Sequence, residues 1–493
     1  MKNIYLGGIA AVALSIGAVA YANQPVLSPR SDTYQQLELF GDVLAIVQQD
    51  YVVKVDSKKL INASLQGMLA SLDPHSNYLS GDDYNDLKEK TKGKYGGIGL
   101  EVTSEDGAVK VVSPIDDTPA QKAGMETGDY ITAIDGTSII GIPLNDAVNK
   151  MKGDPDTKLT ITVVRSGKPD PFDVTLTREI ITVKSVKYLM EGDFGYIRIA
   201  SFSETTAAET KAALADLLAK NPKMKGLVLD LRNNPGGLLE QSVGVADLFL
   251  NGGEVVSQRG RNPDDIIRYQ AHANGDMLKG KPMVVLTNPG TASAAEIVSG
   301  ALQDQHRAEI VGLTTFGKGS VQSVIDLGDN RAVKLTTARY YTPSGRSIQK
   351  TGIEPDLEVA QSKEQAKYIA SSSLQYTEAA YANALDADEG KVRRSPHAVQ
   401  EVPPDGFDTK TGDFELTRAL DVLADGGDVK MAAAHPRGVK MADSELVDQP
   451  GKRFEKTAAD AKAKATDPAS ATKAATAAAS SSSTSSSSSS VSK

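Results

Sequence analysis

Residues 284–322 read VVLTNPGTASAAEIVSGALQDQHRAEIVGLTTFGKGSVQ. The apolar, β-branched run 283–286 predicts a buried strand, which the turn-forming Asn288-Pro289-Gly290 would end. From Ser293 onward, apolar residues recur at the spacing of a helix with one buried face. Ser293 should therefore lie on a sharp strand-to-helix turn, beside backbone N–H groups that have no helical acceptor. Such groups can stabilise the oxyanion of an acyl transfer, so Ser293 is a candidate nucleophile.

A serine hydroxyl needs a base, and Lys318 is the main candidate. The turn TFGKGS at 315–320 places Lys318 between two glycines and between two strand-like runs, so its side chain can point inward. To accept a proton at neutral pH, its pKa must fall by about three units, or roughly 4 kcal/mol. Burial beside Phe316 would have this effect.

Simpler interpretations of both residues compete with this pair. A serine at a helix start is usually only an N-cap, and a lysine in a Gly-Lys-Gly turn is usually solvated. Of the five histidines, His306 would lie more than three helical turns from Ser293, which argues against a Ser-His hydrolase. His75 is better explained by a turn or packing role. Spacing alone leaves the Ser-Lys dyad a minority hypothesis.

Three blocks in a fixed order change this assessment: GTASAAE at 290–296, TFGKGSVQ at 315–322 and YYTPSGR at 340–346. Together they resemble the C-terminal processing peptidases, also called tail-specific serine proteases. The resemblance implies Ser293 as nucleophile, Lys318 as general base and Gln322 as the polar residue that orients the lysine. It also implies a multi-domain α/β fold, in which N-terminal helices pack on a crotonase-like protease core and a PDZ domain is inserted between them.

A second β-turn-α unit spans 226–248 and contains Pro235-Gly236-Gly237 at its turn. Alternating β and α segments favour an α/β core, and two such units side by side would bring this turn against Ser293. The alternative is a tight turn with no further role. Because the resemblance implies that the segment lines the active site, we expect the N–H of Gly236 or Gly237, together with that of Ala294, to form the oxyanion hole.

Short strand patterns separated by glycine-containing turns fill residues 95–179. With PAQKAG at 119–124 and IDG at 134–136, this stretch resembles a PDZ domain of the bacterial protease type. Its carboxylate-binding loop would be Gly97-Ile98-Gly99-Leu100, since consecutive N–H groups can hold a C-terminal carboxylate. By itself the Gly-x-Gly would be a plain turn. The implied ligand is a protein tail, held in pockets lined by Leu100 and residues 144–152.

The N-terminus predicts export. Lys2 precedes an apolar run, and Ala20-Tyr21-Ala22 is typical of a signal-peptide cleavage site, although an uncleaved anchor in the inner membrane is the alternative. We therefore expect a periplasmic protein. The predicted segments are a signal peptide (1–22), an N-terminal helical region (23–92), a PDZ domain (93–182), a serine protease core (183–362), a C-terminal helical region (363–450) and a disordered Ala/Lys/Ser-rich tail (451–493).

Composition excludes several other functions. A formal charge of −9 without a basic patch argues against a nucleic-acid partner, and the absence of cysteine excludes disulfides, thiolate ligands and a cysteine nucleophile. The sequence has neither a HExxH helix nor a phosphate-binding glycine loop, so no metal or cofactor is implied.

The expected partners are proteins or peptides with exposed C-termini. An adaptor or activator protein and a homo-oligomer are further expectations, and the C-terminal helices are expected either to pack on the core or to mediate self-association. Arg178, at the exit of the PDZ domain, is a candidate link between peptide binding and the dyad, and the alternative is a solvated charge at a domain boundary. The alternative from another class is a PDZ scaffold that binds tails without cutting them, or a protease that is inactive without its adaptor.

Overall fold

The computed structural model describes residues 29–105, 107–115, 117–262, 264–372, 377–387, 399–409 and 411–438 of the 493-residue chain. The chain divides into two compact units between Ser71 and Leu72. The predicted signal peptide and the predicted tail lie outside the described residues. Within the ranges described, no helix combines the length and the hydropathy needed to cross a bilayer.

The first unit contains two helices, α1 (Pro29–Asp50) and α2 (Ser57–Ala70). Both lie in the predicted N-terminal helical region, residues 23–92. Asp56 caps α2, because its carboxylate accepts the N–H of Lys58 at 2.8 Å and that of Lys59 at 3.4 Å.

The second unit opens with β1 (Asn77–Ser80) and α3 (Asp82–Lys92), followed by a small β-rich domain. The elements of that domain are β2 (Lys94–Gly97), β3 (Leu100–Glu105), β4 (Ala108–Pro114), α4 (Pro119–Lys122), β5 (Tyr130–Ile134), β6 (Thr137–Ser138), α5 (Leu144–Met151), β7 (Lys158–Val164), β8 (Phe172–Thr177) and β9 (Glu179–Thr182). Its sheet has the order β3-β4-β5-β7-β8 with β6 beside β5, and β2 pairs with β9. Alternate residues of β7 are buried, so one face of the sheet is packed.

An α/β core follows this domain. Its elements are β10 (Val186–Glu191), β11 (Phe194–Ile199), α6 (Thr206–Lys220), β12 (Gly226–Asp230), α7 (Leu239–Asp247), β13 (Gly253–Arg259), β14 (Ile266–Ala271), β15 (Met283–Thr287), α8 (Ala294–Asp304), β16 (Glu309–Gly312), β17 (Ser320–Gly328), β18 (Arg331–Tyr341) and β19 (Leu357–Glu358). Beyond it lie α9 (Lys363–Ser372), a 3₁₀ turn (Glu378–Ala380), α10 (Phe414–Ala424) and α11 (Val429–Ala434).

The main sheet of the core has the order β10-β11-β12-β15-β16-β19 and is parallel from β11 onward. Its central strands are buried on both faces, as parallel sheets require. Leu227 and Leu229 of β12 pack in one apolar cluster with residues of α6, α7 and α8, whereas Val228 packs in another with Phe414 and Val422 of α10. The C-terminal helix therefore covers the second face of the sheet, and the predicted α/β fold is confirmed.

A second sheet of the core has the order β1-β18-β13-β14, and β17 also pairs with β18. Strand β1 precedes the PDZ-like domain in the chain, yet Tyr78 of β1 pairs with Val333 of β18. The small β-rich domain is thus an insertion in the α/β core. The register between β12 and β15, with Leu229 opposite Val285, brings their carboxyl ends together and aligns the two turns that follow.

Candidate active site

Ser293 lies on the turn between β15 and α8, as predicted. Its backbone is left-handed (φ 54°, ψ −115°), a conformation that costs a non-glycine residue on the order of 1–3 kcal/mol. Its N–H donates to the carboxylate of Glu296 at 2.8 Å, and helix α8 begins at the next residue. The strained turn holds the side chain of Ser293 at the carboxyl edge of the sheet, beside the N-terminus of a helix.

Glu296 is the residue that sequence reasoning missed. It has no exposed surface, and its carboxylate accepts four hydrogen bonds: from Ser293 N (2.8 Å), Thr315 Oγ1 (2.5 Å), Gly317 N (2.6 Å) and Lys318 N (2.9 Å). Burial raises the pKa of Glu296, while these four donors act to lower it. The Ser-x-x-Glu spacing of a capping box was the available signal.

Lys318 and Gln322 meet at the start of β17. The ammonium of Lys318 donates to Gln322 Oε1 at 2.5 Å. The amide of Gln322 donates to Ser320 Oγ at 2.9 Å and to Thr336 Oγ1 at 3.2 Å, and Thr336 in turn donates to Asp73 Oδ1 at 3.0 Å. This chain of hydrogen bonds fixes the oxygen of Gln322 toward the lysine.

Burial lowers the pKa of Lys318 to about 8, from an ordinary value of 10.5. The nearby ammonium of Lys334 acts in the same direction, whereas the carboxylates of Glu378, Glu296 and Asp73 oppose the shift. A substantial fraction of the lysine is therefore neutral slightly above neutral pH, as a general base requires.

Ser293, Lys318 and Gln322 line one cavity of about 720 Å³. The hydrogen bonds of the described residues join Lys318 Nζ to Gln322, and they do not include one between Lys318 Nζ and Ser293 Oγ. The cavity is also lined by Val148 of helix α5 and by Lys152, the residue that follows this helix in the inserted domain. The proposed nucleophile and base thus face a shared space that reaches the PDZ-like domain.

The turn after β12 lies against Ser293, as expected from the adjacent strands. A methyl group at Gly236 would lie 2.8 Å from Ser293 Cβ and 2.9 Å from Ala292 O. The N–H of Gly236 donates to Asn234 Oδ1 at 2.9 Å, so this group is already engaged. Among the hydrogen bonds of the described residues, the N–H groups of Gly237 and Ala294 have no acceptor. Of the three predicted oxyanion residues, Gly237 and Ala294 are therefore the two with an available donor.

Arg232 anchors the start of this turn. Its guanidinium forms ion pairs with Asp230, Asp413 and Glu415, each at 2.7 Å. Burial raises the pKa of Glu415 to about 7, against the effect of Arg232. The C-terminal helix α10 is thereby tied to the turn that carries Gly236 and Gly237.

The predicted carboxylate-binding loop joins β2 to β3. The carbonyl of Ile98 accepts the N–H of Ala120 at 2.9 Å, and that of Gly99 accepts the N–H of Ile115 at 3.0 Å. Gly99 has φ +80°, and a Cβ there would meet the side chain of Thr118 at 2.3 Å. The side chain of Ile98 is buried in the domain core, so only its backbone can contact a ligand.

Two further residues from the sequence analysis lie near these elements. Arg178 donates to the carbonyls of Met151 and Lys150, both at 3.0 Å, and so caps the end of α5. The N–H of His75 donates to Asp73 Oδ1 at 2.9 Å, which confirms the turn role, and its Nε2 lies 2.8 Å from Glu378 Oε2. His306 lies beyond the end of α8.

Within the described ranges, no cluster of three or more His, Asp or Glu side chains could hold a metal ion.

Comparison with known proteins agrees with this architecture. Residues 193–359 match peptidase family S41, residues 96–176 match the PDZ domain, and residues 18–83 match the N-terminal domain of the activating protease CtpB. The carboxy-terminal-processing protease of Bartonella bacilliformis is 51% identical over 355 residues, which are 72% of this chain and 82% of that protein. A probable CtpA-like serine protease of Staphylococcus aureus (strain COL) is 35% identical over 366 residues, covering 74% and 73% of the two chains.

Among solved structures, the photosystem II D1 C-terminal processing protease is 32% identical, with a TM-score of 0.39, over 65% of this chain and 92% of that one. The identity to the Bartonella protein over most of both chains decides the family. The chain belongs to the carboxy-terminal processing proteases, PDZ-containing serine peptidases of family S41.

Proposed function

We propose that this protein is an exported endopeptidase that captures protein C-termini on its PDZ domain and cuts peptide bonds with a Ser293-Lys318 dyad. The observation that carries the proposal is the shared cavity, in which Ser293 and a lysine with a pKa of about 8 face the same space. The Glu296 carboxylate supports the pairing, because it binds both turns at once.

The reaction follows from these positions. Neutral Lys318 takes the proton of Ser293 Oγ as that oxygen attacks the scissile carbonyl, and the N–H groups of Gly237 and Ala294 stabilise the oxyanion. Lys318 then gives the proton to the leaving amine, which leaves an acyl-enzyme. Water attacks the ester with Lys318 again as base, and the product departs as a carboxylic acid while Ser293 is regenerated. Gln322 keeps the amine of Lys318 oriented through both steps.

In this proposal the inserted domain delivers the substrate. A tail bound by the N–H groups of Gly97, Ile98 and Gly99 would extend along Leu100 of β3, opposite α5. Val148 of α5 packs against the domain core and also lines the cavity of Ser293. A captured chain therefore lies beside the site that is to cut it.

A second candidate is a tail-binding protein whose peptidase works only with an adaptor. It is favoured by two observations: Lys318 Nζ is bonded to Gln322 rather than Ser293, and residues 18–83 match a domain of an activating protease. In this case Ser293 and Lys318 would be brought into contact by the partner. A homo-oligomer could serve the same purpose.

The test is cleavage of a mostly unfolded protein that carries either an apolar or a charged C-terminal tail. We expect wild type to cut the apolar-tailed substrate and both Ser293→Ala and Lys318→Ala to be inactive. Full activity of Lys318→Ala would refute the dyad. Binding of the tail without cleavage by wild type would favour the adaptor-dependent protein.

Export rests on the charged and apolar character of residues 2–22. We expect the mature protein, purified from the periplasmic fraction, to begin at Asn23. N-terminal sequencing distinguishes this from an uncleaved membrane anchor, which would begin at Met1 or Lys2 and sediment with membranes.

A further inference from the structure

We infer that Glu378, which lies in the segment after the protease core, is a positioning residue for the catalytic lysine. Together with His75, it holds the turn that carries Lys318. The inference rests on the proposed role of Lys318 as the base. It gives a function to the His75 side chain and to the segment after the protease core, neither of which the mechanism above uses.

Hydrogen bonds run from Glu378 to both sides of Lys318. The N–H of Glu378 donates to the carbonyl of Phe316 at 3.1 Å. The Oε1 atom of Glu378 accepts from Gln349 Nε2 at 3.0 Å, and Gln349 Oε1 accepts the N–H of Gly319 at 2.9 Å. The residue two before Lys318 is thus held by the backbone of Glu378, and the residue one after Lys318 is held by the Glu378 side chain through Gln349.

His75 completes the arrangement. Its Nε2 atom lies 2.8 Å from Glu378 Oε2, and its ring meets Tyr381 edge-on with centroids 6.1 Å apart. Tyr381 also packs against Phe316, at a centroid distance of 6.4 Å. The turn of Lys318 is therefore enclosed by a polar and an aromatic contact, both from the segment 378–381.

The burial of Glu378 indicates a specific role. Its side chain is only 1% exposed, whereas that of His75 is 17% exposed. A buried carboxylate is costly unless it is paired and hydrogen-bonded, and apolar residues would fill the same space at lower cost. The Glu296 carboxylate binds the backbone of the Lys318 turn directly, whereas the Glu378 carboxylate supports the same turn through Gln349, so the two carboxylates act as separate supports.

The negative charge of Glu378 should affect the pKa of Lys318, which a purely structural packing role would not. Four charged groups face the Lys318 ammonium: Glu296 of α8, Glu378 of the 3₁₀ turn, Asp73 before β1 and Lys334 of β18. The three carboxylates raise the pKa of Lys318 and Lys334 lowers it. Removing the charge of Glu378 alone must therefore move the pKa of Lys318 down, even when the shape of the side chain is kept.

The experiment compares Glu378→Ala and Glu378→Gln with wild type, using kcat and KM on a tailed substrate and the rate at which a fluorophosphonate labels Ser293 across pH. We expect Glu378→Ala to lose roughly 10- to 100-fold in kcat and in labelling rate with little change in KM, because a small misplacement of a catalytic group has an effect of this size. Glu378→Gln should retain more activity, with the acidic limb of its labelling profile moved to lower pH. The matched control is Asp247→Asn, since Asp247 holds the exposed His272 at 3.0 Å in a similar pair that does not line the cavity of Ser293.

Two outcomes would overturn the inference: a wild-type kcat and labelling rate in folded Glu378→Ala, or an unmoved pH midpoint in Glu378→Gln. If Glu378→Ala does not fold, His75→Gln, which changes the more exposed residue of the pair, replaces it in the experiment. A wild-type kcat in His75→Gln would then contradict the inference. Labelling of Lys318→Ala at the wild-type rate would instead refute the proposed dyad, which separates the two failures.

Discussion

The backbone N–H groups of Ser293 and Lys318 donate to the same atom, Oε2 of Glu296, at 2.8 and 2.9 Å. One buried carboxylate oxygen thus sets the separation of the turn that carries the proposed nucleophile and the turn that carries the proposed base. The two side chains can face one cavity because their backbones are tied at a common point.

Glu296→Gln should therefore impair both folding and catalysis. The glutamine amide can accept at one end only, so either the two donors at Oε1 or the two donors at Oε2 would lose their acceptor, at about 1–3 kcal/mol for each buried group. We expect a lower free energy of unfolding in urea and a kcat reduced by at least tenfold, on the order seen for misplaced groups. Glu364→Gln, an exposed glutamate in the first turn of α9, is the control and should leave both quantities unchanged.

The pH profile should report Lys318. Because the base must be neutral and burial lowers its pKa to about 8, kcat should rise with pH through about 8 and level off above it. Lys334→Gln removes the cation that helps to lower this pKa, so the midpoint should move to higher pH. A midpoint that stays in place would show that Lys334 does not tune the base.

Replacing Lys318 should also stabilise the protein. A pKa lowered from 10.5 to about 8 corresponds to roughly 3 kcal/mol against the charged form. The unfolded chain binds more protons than the folded one between these two values, so wild-type stability should rise as pH increases from about 8 to about 10.5. Lys318→Met should be inactive, up to about 3 kcal/mol more stable at pH 7 by urea unfolding, and without that pH-dependent rise. Equal stability of the two proteins at pH 7 would contradict the buried-ammonium account.

Gly236→Ala should abolish activity by steric conflict. The new methyl group would lie 3.0 Å from Ala294 N in addition to its contact with Ser293, at a backbone φ of +99°. Gly280→Ala is the matched control, since Gly280 also has positive φ (+78°) but has open space around its added Cβ. We expect both variants to lose some stability and only Gly236→Ala to lose kcat, measured on an unfolded substrate. Comparable kcat values in the two would show that backbone strain alone matters.

Arg178→Ala should weaken the dependence of activity on the substrate tail. Loss of its bonds to Met151 and Lys150 frees the end of α5, and each bond contributes about 0.5–1.5 kcal/mol. We expect the ratio of kcat/KM on tailed and tail-less substrates to fall by about tenfold, which corresponds to roughly 1.4 kcal/mol. Lys168→Ala changes an exposed cation of the same domain and should leave the ratio as in wild type. An unchanged ratio in Arg178→Ala would dispose of its linking role.

The local pattern of apolar and turn-forming residues in the sequence predicted much of the fold. The strand 283–286, the helix from residue 294 and the pairing of two β-turn-α units all follow from periodicity and turn residues, and the structure confirms them. The functional assignment of Ser293 and Lys318 needed the family resemblance, because isolated serines and lysines in turns are common.

Long-range partners could not be predicted in the same way. Glu296 has the spacing of an ordinary surface cap, and its burial depends on a turn about twenty residues later folding over it. The use of the Gly236 N–H by Asn234 depends on side-chain geometry inside one turn. The pair of His75 and Glu378 joins residues 303 positions apart, which no periodicity reveals.

The ion pairs of Arg232 have a consequence for how the protein is made. Its partners Asp413 and Glu415 follow it by 181 and 183 residues, so the turn with Gly236 and Gly237 receives its last supports only when synthesis of the folded region is almost complete. A chain that stops before residue 413 would therefore contain Ser293 and Lys318 but lack the two ion pairs of Arg232 with Asp413 and Glu415. We expect that a chain truncated before α10 would be inactive although every proposed catalytic residue is still present.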